Sequence, residues 1–312
     1  MKLLVTGLSG LLGLNVAAAL RGRHEVSGAY FEHRVQLADV PAIRLDVNDA
    51  GAVGRWIEAE RPDVVLHAAG LTNVDACEIH PDLAERLNVD VAGYVAEAAA
   101  AAGSGLIHIS TDHLFNGEAS LYPEDHPPAP LNVYARTKLA AEQRVKDAHP
   151  RPYIVRTNFY GWGHPGRQSF SDWIVGCLRR GERLRMFHDV YFTPILINDL
   201  VSVLLDLLAR AQPATYNVAG GERLSKYEFG VALASRFGLD PGLLESVSVD
   251  TFAFKARRPH DMSLATARVE RAVGYPMPNA AAGIERLARL EHEGLPRTLA
   301  DAFSGGGSPA HS

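Results

Sequence analysis

Short apolar runs alternate with amphipathic segments through the first half of the chain, which predicts strands and helices in turn. The predicted strands are Lys2–Thr6, Val26–Tyr30, Ala42–Asp46, Asp63–His67, Gly105–Ser110 and Tyr153–Asn158. The predicted helices are an alanine-rich one through Asn15–Leu20, then Ala50–Glu60, Pro81–Ala102 and Leu131–Ala148. Strands that are separated by helices form parallel pairs, so the pattern is typical of an α/β fold with a doubly wound parallel sheet.

The pattern loosens after residue 160, which predicts a smaller α/β lobe built from several separate segments. Its predicted helices are Ser169–Arg180, Asn198–Arg210, Ser225–Phe237 and Asn279–Glu293. A late strand, Ala214–Val218, is expected to return to the sheet. We therefore expect residues 1–160 to form the core, with 190–219 returning to it, and 161–189 and 220–300 to form the lobe. The end of the chain, 301–312, is Gly/Ser-rich from Ser304 and is predicted to be disordered.

Composition excludes several classes of protein. The formal net charge is −5 and the basic residues form no stripe, so we expect no nucleic-acid partner. No stretch of about 18 consecutive apolar residues predicts a membrane span, and the immediate first strand leaves no room for a signal peptide. Cys77 and Cys177 are the only cysteines and lack metal-type spacing, which predicts reduced thiols in a cytoplasmic protein. The 13 histidines are scattered, and no metal site is expected.

A glycine-rich turn joins the first strand to the first helix. Gly7 allows a sharp exit from the strand, Gly10 removes the side chain where a pyrophosphate approaches, and Gly13 lets helix and strand pack closely. The helix N-terminus then offers free N–H groups and a partial positive charge to phosphates. This order predicts a Rossmann-type dinucleotide site. Its predicted contacts in the turn are Gly7, Ser9, Gly10, Leu11, Leu12 and Gly13.

The residues after the second strand bear on the choice between NADP and NAD. NAD-binding folds place an acidic residue about 20 positions after the glycines, where it holds the ribose hydroxyls. Here Tyr30 ends the strand and His33 and Arg34 follow, so a cation can pair with the 2′-phosphate of NADP. NADP is therefore favoured, while Glu32 leaves NAD open. Further predicted cofactor contacts are Asp46 and Val47 at the adenine, and Ala68, Ala69 and Gly70 after the fourth strand.

The candidate catalytic residues follow the fifth strand. Thr111 lies at the carboxyl edge of the sheet, where open α/β folds bind ligands. Tyr134 and Lys138 stand four apart and share one face of the next helix. The Lys138 ammonium is expected to lower the pKa of Tyr134, making it a proton donor to a carbonyl that receives hydride, with Thr111 bonded to the same oxygen. Tyr134 and Lys138 are also expected to contact the cofactor, Lys138 at the nicotinamide ribose.

Several stretches resemble the dTDP-4-dehydrorhamnose reductase family, in the extended branch of the short-chain dehydrogenases/reductases. Residues 110–117, Ser-Thr-Asp-His-Leu-Phe-Asn-Gly, are similar to its Ser-Thr-Asp-Tyr-Val-Phe-Asp-Gly. Residues 130–142 are similar to its Pro-Leu-Asn-x-Tyr-Gly-x-Ser/Thr-Lys-Leu-x-Gly-Glu. Residues 67–75 resemble its segment after strand four, and Arg258-Pro259 with Ser263-Leu264 resembles its late Arg-Pro-x-x-Ser-x-Leu. The likeness spans most of residues 1–270.

The resemblance implies an NAD(P)H-dependent reduction of a 4-keto sugar carried on a nucleotide, with Thr111, Tyr134 and Lys138 at the family's catalytic positions. Arg258 falls where the family meets its substrate, and the chain after the sixth strand begins the substrate lobe. The predicted substrate contacts are Thr72, Asn73, Thr111, His113, Asn158, Trp162 and Arg258. The family's interfacial magnesium is not carried over, because no matching carboxylate cluster stands out. A homodimer is expected by analogy with such sheets.

Three departures keep other functions open. His113 replaces the family's tyrosine, Ala135 replaces a glycine, and residues 156–162 look closer to a branch that includes the regulatory β subunit of methionine adenosyltransferase. That likeness favours, as an alternative, an NADP-binding regulatory subunit. A nucleotide-sugar epimerase or dehydratase is a further alternative, since it shares the fold and the tyrosine. A dehydratase typically has Thr-Asp-Glu after strand five, whereas His113 follows Asp112 here.

Overall fold

A computed structural model gives the fold and describes residues 1–304; positions 305–312 of the predicted disordered tail lie outside the described residues. The strands of the described chain are β1 (Lys2–Thr6), β2 (Glu25–Tyr30), β3 (Ala42–Arg44), β4 (Val64–His67), β5 (Gly105–Ile109), β6 (Tyr153–Arg156), β7 (Phe159–Tyr160), β8 (Leu184–Phe187), β9 (Tyr191–Phe192), β10 (Ile195–Leu196), β11 (Thr215–Asn217), β12 (Leu224–Ser225) and β13 (Leu244–Val247).

The α-helices surround these strands and follow the predicted alternation in the first half of the chain. They are α1 (Leu11–Leu20), α2 (Ala50–Glu60), α3 (Val74–Ile79), α4 (Pro81–Glu85), α5 (Val91–Ala101), α6 (Val133–Ala148), α7 (Phe170–Arg179), α8 (Ile197–Arg210), α9 (Lys226–Arg236), α10 (Ala267–Val273), α11 (Ala280–His292) and α12 (Leu295–Ser304). A π-helical turn, Arg86–Asp90, joins α4 to α5, and 3₁₀ turns occur at Pro241–Leu243 and Val249–Thr251.

Seven strands form one parallel sheet in the order β11-β6-β5-β4-β1-β2-β3. The strand order reverses between β1 and β4, which is the point where ligands bind in doubly wound folds. Side chains that alternate along β1 feed two cores, since Leu3 and Val5 face α1 and α8 while Leu4 faces α2, α5 and α6. The predicted doubly wound Rossmann-type sheet is confirmed.

The chain after β6 contains short strand pairs rather than a second continuous sheet. In the described chain β13 pairs with β8 and β10 with β7 in parallel, whereas β12 pairs with β9 antiparallel. The helices α7, α9 and α11 pack beside these strands. The strand β11 pairs with β6, so the later chain returns to the main sheet.

Several predicted elements differ from the observed ones, many of them by one or two residues at an end. β3 ends at Arg44 rather than Asp46, because it pairs only with β2 at the sheet edge. The predicted helix Pro81–Ala102 is interrupted by the π-helical turn, and α6 begins at Val133 because Asn132 caps it. Residues 301–304, expected to be disordered, belong to α12.

Two negative findings apply to residues 1–304. No described helix is long and apolar enough to cross a membrane. Within the same range, no three His, Cys, Asp or Glu side chains are grouped to hold a metal ion. Cys77 and Cys177 are both free and buried.

Candidate active site

The glycine-rich turn packs backbone against backbone at two of its glycines. Gly7 has a φ of 71°, in the left-handed region, and a Cβ there would lie 2.9 Å from the Ala69 backbone. A Cβ on Gly13 would lie 2.3 Å from the Gly7 carbonyl oxygen. The turn also bonds to the neighbouring strand, since the Leu8 N–H donates to the Ala29 carbonyl at 2.8 Å. Side chains are therefore excluded where the turn meets α1 and the loop after β4.

The N-terminus of α1 fits the pyrophosphate of a dinucleotide. Gly10 is its N-cap and supplies no side-chain acceptor. The Gly10 N–H bonds the Gly7 carbonyl at 2.9 Å, while the N–H groups that follow, from Leu11 to Gly13, have no partner within the helix. Such N–H groups and the helix dipole together favour a bound anion.

The predicted adenosine contacts lie at the same edge of the sheet. The Leu45 N–H donates to the Tyr30 carbonyl at 2.9 Å, which ties the ends of β2 and β3 together. His33 and Arg34 are exposed just beyond β2. Asp46 is exposed and accepts from both the backbone and side-chain N–H groups of Asn48, and Val47 packs on the core beneath it. Imidazole and guanidinium groups are thus accessible where the 2′-phosphate of NADP is expected.

The loop after β4 is held by a residue that the sequence analysis missed. Asn88, in the π-helical turn, accepts from the Leu71 N–H at 2.8 Å and donates to the Leu71 carbonyl at 3.1 Å. It also donates to Thr137 Oγ1 of α6 at 3.0 Å. A Cβ on Gly70 would lie 2.8 Å from the Asn88 oxygen. Asn88, placed by the π-helical turn, therefore ties the end of this loop at Leu71 to α6.

Thr111 and Tyr134 are brought together and are both buried. Burial raises the pKa of Tyr134 to about 12, and a hydrogen bond with Thr111 opposes this increase. A phenol with this pKa stays protonated at neutral pH, as a proton donor must. Thr111 also donates to Asp112 Oδ1 at 3.2 Å.

The partners of Lys138 differ from the predicted ones, since its ammonium was expected to lie near the Tyr134 phenol and to lower the pKa of that group. Its buried Nζ donates to the Ile109 carbonyl at 2.8 Å and lies 3.4 Å from His108 Nε2. Burial lowers the pKa of Lys138 to about 8, and the nearby Glu142 carboxylate opposes the decrease. The predicted lowering of the Tyr134 pKa by Lys138 is therefore wrong, because the ammonium is bonded to β5 and not to the phenol, whose pKa burial raises.

Two buried histidines extend from Lys138 across the sheet. His108 and His67 pair in register on β5 and β4, with ring centroids 5.3 Å apart. His67 Nδ1 lies 2.7 Å from Thr6 Oγ1 on β1, while His67 Nε2 and His108 Nδ1 have no hydrogen-bond partner in the described part of the chain. Burial and the Lys138 charge lower the pKa of His67 to about 3 and that of His108 well below its usual value. Both imidazoles are therefore neutral. The sequence pattern of buried strands did not indicate that His67 and His108 would lie side by side.

The substrate side of the site gathers one acid, one imidazole and two cations. Asp112 Oδ2 accepts from the Asn158 amide at 2.6 Å, and the His113 ring meets Tyr134 edge-on at 5.7 Å. The pKa of His113 is lowered, first by burial and also by Lys226 and Arg258, while Asp112 opposes this. His113 and Asn158, both predicted substrate contacts, thus lie close to Tyr134 and Thr111.

Lys226 is a second residue that the sequence analysis missed. It begins α9, and its Nζ lies 3.3 Å from the centre of the Phe192 ring and 4.8 Å from that of Phe170. Burial lowers the pKa of Lys226 to about 8, opposed by Asp112. The only sequence signal was a lysine after an N-cap serine in a predicted helix, which does not distinguish a site residue from a surface one.

Of the remaining predicted substrate contacts, Arg258 is available to a ligand, whereas Asn73 and Trp162 have structural roles. Arg258 donates to Asp75 Oδ2 at 2.9 Å, and its buried Nη1 has no hydrogen-bond partner among residues 1–304, so its N–H groups are available to a ligand. Thr72 Oγ1 accepts from Arg167, and the Asn73 oxygen caps α3, so Asn73 has a local structural role. Trp162 is wrong as a substrate contact: its ring is buried and its Nε1 donates to the Leu287 carbonyl at 2.9 Å.

A Rossmann sheet with this turn, and with Thr111, Tyr134 and Lys138 at its carboxyl edge, defines a dinucleotide-binding protein of the extended short-chain dehydrogenase/reductase type. Comparison with known proteins makes the assignment specific. The chain belongs to the RmlD substrate binding domain family, which matches residues 1–291. The family predicted from the sequence is confirmed.

The chain is similar over nearly its whole length to proteins of this family. It is 31% identical over 293 residues to the "Probable low-salt glycan biosynthesis reductase Agl14" of Haloferax volcanii, covering 92% of this chain and 96% of that protein. It is 30% identical over 278 residues to methionine adenosyltransferase 2 subunit beta of Bos taurus, covering 86% and 81%. The structure of dTDP-4-dehydrorhamnose reductase from Bacillus anthracis in complex with NADP superposes with a TM-score of 0.82, 28% identity and coverage of 93% and 99%. Its relatives thus include NADP-dependent oxidoreductases, as predicted.

Proposed function

We propose that the protein is a reductase that uses NADPH, or less favourably NADH, to reduce the 4-keto group of a nucleotide-linked sugar. The observation that carries this proposal is the buried Thr111–Tyr134 pair at the carboxyl edge of a sheet whose glycine turn fits a pyrophosphate. The relatives named as reductases support the same class of reaction.

The chain's own residues supply the acid chemistry of this reaction. Bound NADPH would provide the hydride. The Lys138 ammonium has three N–H donors, of which Ile109 and His108 accept two, and the third would hold the nicotinamide ribose. Tyr134, protonated because burial raises its pKa, donates its proton to the carbonyl oxygen as negative charge develops there. Thr111 donates a second hydrogen bond to the same oxygen, which requires its hydroxyl to turn from Asp112.

The substrate would lie between the sheet edge and the lobe formed by 161–189 and 220–300. The free Nη1 of Arg258 suits an anionic group such as the diphosphate of a nucleotide sugar. His113, Asn158 and the partly buried Lys226 provide polar groups for the sugar. The homodimer and the cytoplasmic location stay predictions of the sequence; light scattering of the purified chain tests the first.

A second candidate, an NADP-binding regulatory subunit, is favoured by the 30% identity to the bovine methionine adenosyltransferase subunit. The two proposals differ in what Tyr134 does. A reductase needs its hydroxyl, whereas a regulatory subunit needs only the fold and the cofactor.

The deciding experiment measures NADPH oxidation with a panel of nucleotide-linked 4-keto sugars, dTDP-4-dehydrorhamnose among them. We expect turnover with at least one, and Tyr134→Phe to lower kcat by about 100-fold or more while NADPH binding persists. Tyr216→Phe is the matched control, since that hydroxyl only bonds the Gln212 carbonyl at the far edge strand. Tight NADPH binding without turnover on any member would contradict the reductase and favour the regulatory subunit.

A further inference from the structure

The last described helix, α12, lies beyond residue 291, where the family match ends, yet it is anchored to the Rossmann core. Leu299 and Ala302 are 0% and 2% exposed and belong to the main hydrophobic core. The helix packs on α1, which follows the glycine turn, and on α11. α12 is therefore an ordered element that packs on the helix following the glycine turn.

The end of α12 places an aromatic ring between two loops. Phe303 stacks on His164 with ring centroids 4.5 Å apart and lies 5.5 Å from the ring of His33. A Cβ on Gly166 would lie 2.2 Å from the Phe303 ring, so only glycine allows the ring to approach this closely. Phe303 thus bridges the loop after β2 and the loop after β7.

Both bridged loops border the predicted dinucleotide groove. His33 belongs to the segment expected at the 2′-phosphate, and the Gln36 N–H in the same loop donates to the Ala302 carbonyl at 2.8 Å. On the other side, the Asn15 amide of α1 donates to the Trp162 carbonyl at 3.0 Å, so the loop after β7 is bonded to the helix that follows the glycine turn. The helix end therefore connects the adenosine side of the groove to the pyrophosphate side.

We propose that α12 closes the adenosine side of this groove and that Phe303 slows the release of NADP(H) by holding the two loops together. The inference rests on the cofactor site of the proposed function. Without the ring, residues 33–36 and 163–167 lose their shared contact, and each moves more freely away from the bound cofactor. Because His33 and Arg34 are the groups expected at the 2′-phosphate, the effect is larger for NADPH than for NADH.

The test compares Phe303→Ala, Phe303→Leu and the control Arg297→Ala, whose side chain lies on the solvent side of the same helix. Equilibrium titration and stopped-flow displacement give Kd and the dissociation rate of NADPH and NADH. We expect Phe303→Ala to raise the Kd for NADPH by about 3- to 10-fold, mainly through faster release, and the Kd for NADH by less than about 2-fold. Phe303→Leu, which keeps most of the apolar contact, falls between, and Arg297→Ala matches the wild type.

Other results would overturn the inference. An unchanged NADPH dissociation rate in Phe303→Ala would mean that the ring is not a retaining contact. Tighter binding would mean that α12 occupies the groove rather than bounding it. If the wild-type chain binds neither cofactor, the proposed function itself fails, which the first titration establishes separately.

Discussion

At the scale of single residues, the site depends on how burial shifts the acid–base groups. Tyr134 is kept protonated and Lys138 is made easier to deprotonate, because each loses the water that would stabilise its charged form. The pKa of Tyr134, about 12, lies above the ordinary value for a phenol. The pKa of Lys138, about 8, lies below the ordinary value for an ammonium group. The alkaline limit of activity should therefore belong to the lysine.

We expect kcat/KM to fall about tenfold per pH unit above pH 8 in the free enzyme. The pKa of Lys138 is lowered to about 8, so its ammonium is lost as the pH rises through that value, while Tyr134 remains protonated. A pH–rate profile checks this. The pKa of Lys226 is also lowered to about 8, so the pH–rate profile of Lys226→Gln shows which lysine is responsible. If the alkaline fall in activity belongs to Lys138, it stays near pH 8 in this variant.

His108 is expected to be a positioning residue for Lys138. Its neutral Nε2 accepts from Nζ, and an acceptor favours the charged lysine. We expect His108→Leu to lower kcat by about tenfold, in line with ~1.5 kcal/mol for a hydrogen bond to a charge, and to move the alkaline limb to lower pH. His108→Gln, which restores an acceptor, should recover part of both. If the alkaline limb of the pH–rate profile stays at the wild-type pH in His108→Leu, His108 only packs against its neighbours and does not position Lys138.

At the scale of elements, the turn between β1 and α1 is constrained by close backbone contacts at its glycines. Gly13 is held against Gly7 within the turn itself, whereas Gly7 meets the backbone of Ala69 in the loop after β4. The catalytic helix α6 is instead fixed by distant residues. Its Glu142 pairs with Arg156 at 2.8 Å and accepts from Ser110 Oγ at 2.6 Å, all buried among β5 and β6.

We expect Gly13→Ala to abolish NADPH binding while leaving a folded chain. The added Cβ would lie 2.3 Å from the Gly7 carbonyl oxygen, so the turn must open and withdraw its N–H groups from the phosphates. Cofactor titration with circular dichroism checks both parts. Gly54→Ala on α2 is the control: nothing lies within 4 Å of its Cβ, and the exchange should stabilise the helix by about 0.5–1 kcal/mol. Wild-type affinity in Gly13→Ala would contradict the pyrophosphate assignment.

At the scale of the whole molecule, the predicted cofactor groove brings together segments that lie far apart in the chain. The glycine turn, the loops after β2 and β4, and the end of α12 meet at one edge of the sheet. A ligand that joins these segments stabilises the native state as a unit, because the unfolded chain has no such site.

We expect NADPH at 100 times its Kd to add about 2.7 kcal/mol to the free energy of unfolding and to raise Tm by about 4 °C. NADH at the same concentration should raise Tm by less, since it lacks the 2′-phosphate for His33 and Arg34. Thermal unfolding with each cofactor measures this. A larger shift with NADH would reverse the predicted preference.

The sequence by itself determined the sheet, the turn and the spacing of Tyr134 and Lys138, because these follow from short periodicities and from conformations that only glycine adopts. Even so, it misjudged what Lys138 bonds, since His108 and Ile109 meet it only when β5 packs under α6. Asn88, Lys226 and Phe303 became visible only in three dimensions, and Trp162 moved to the core for the same reason. Local order is set by neighbours in the chain, whereas a side chain's partners across the fold are set by packing, which a linear pattern does not contain.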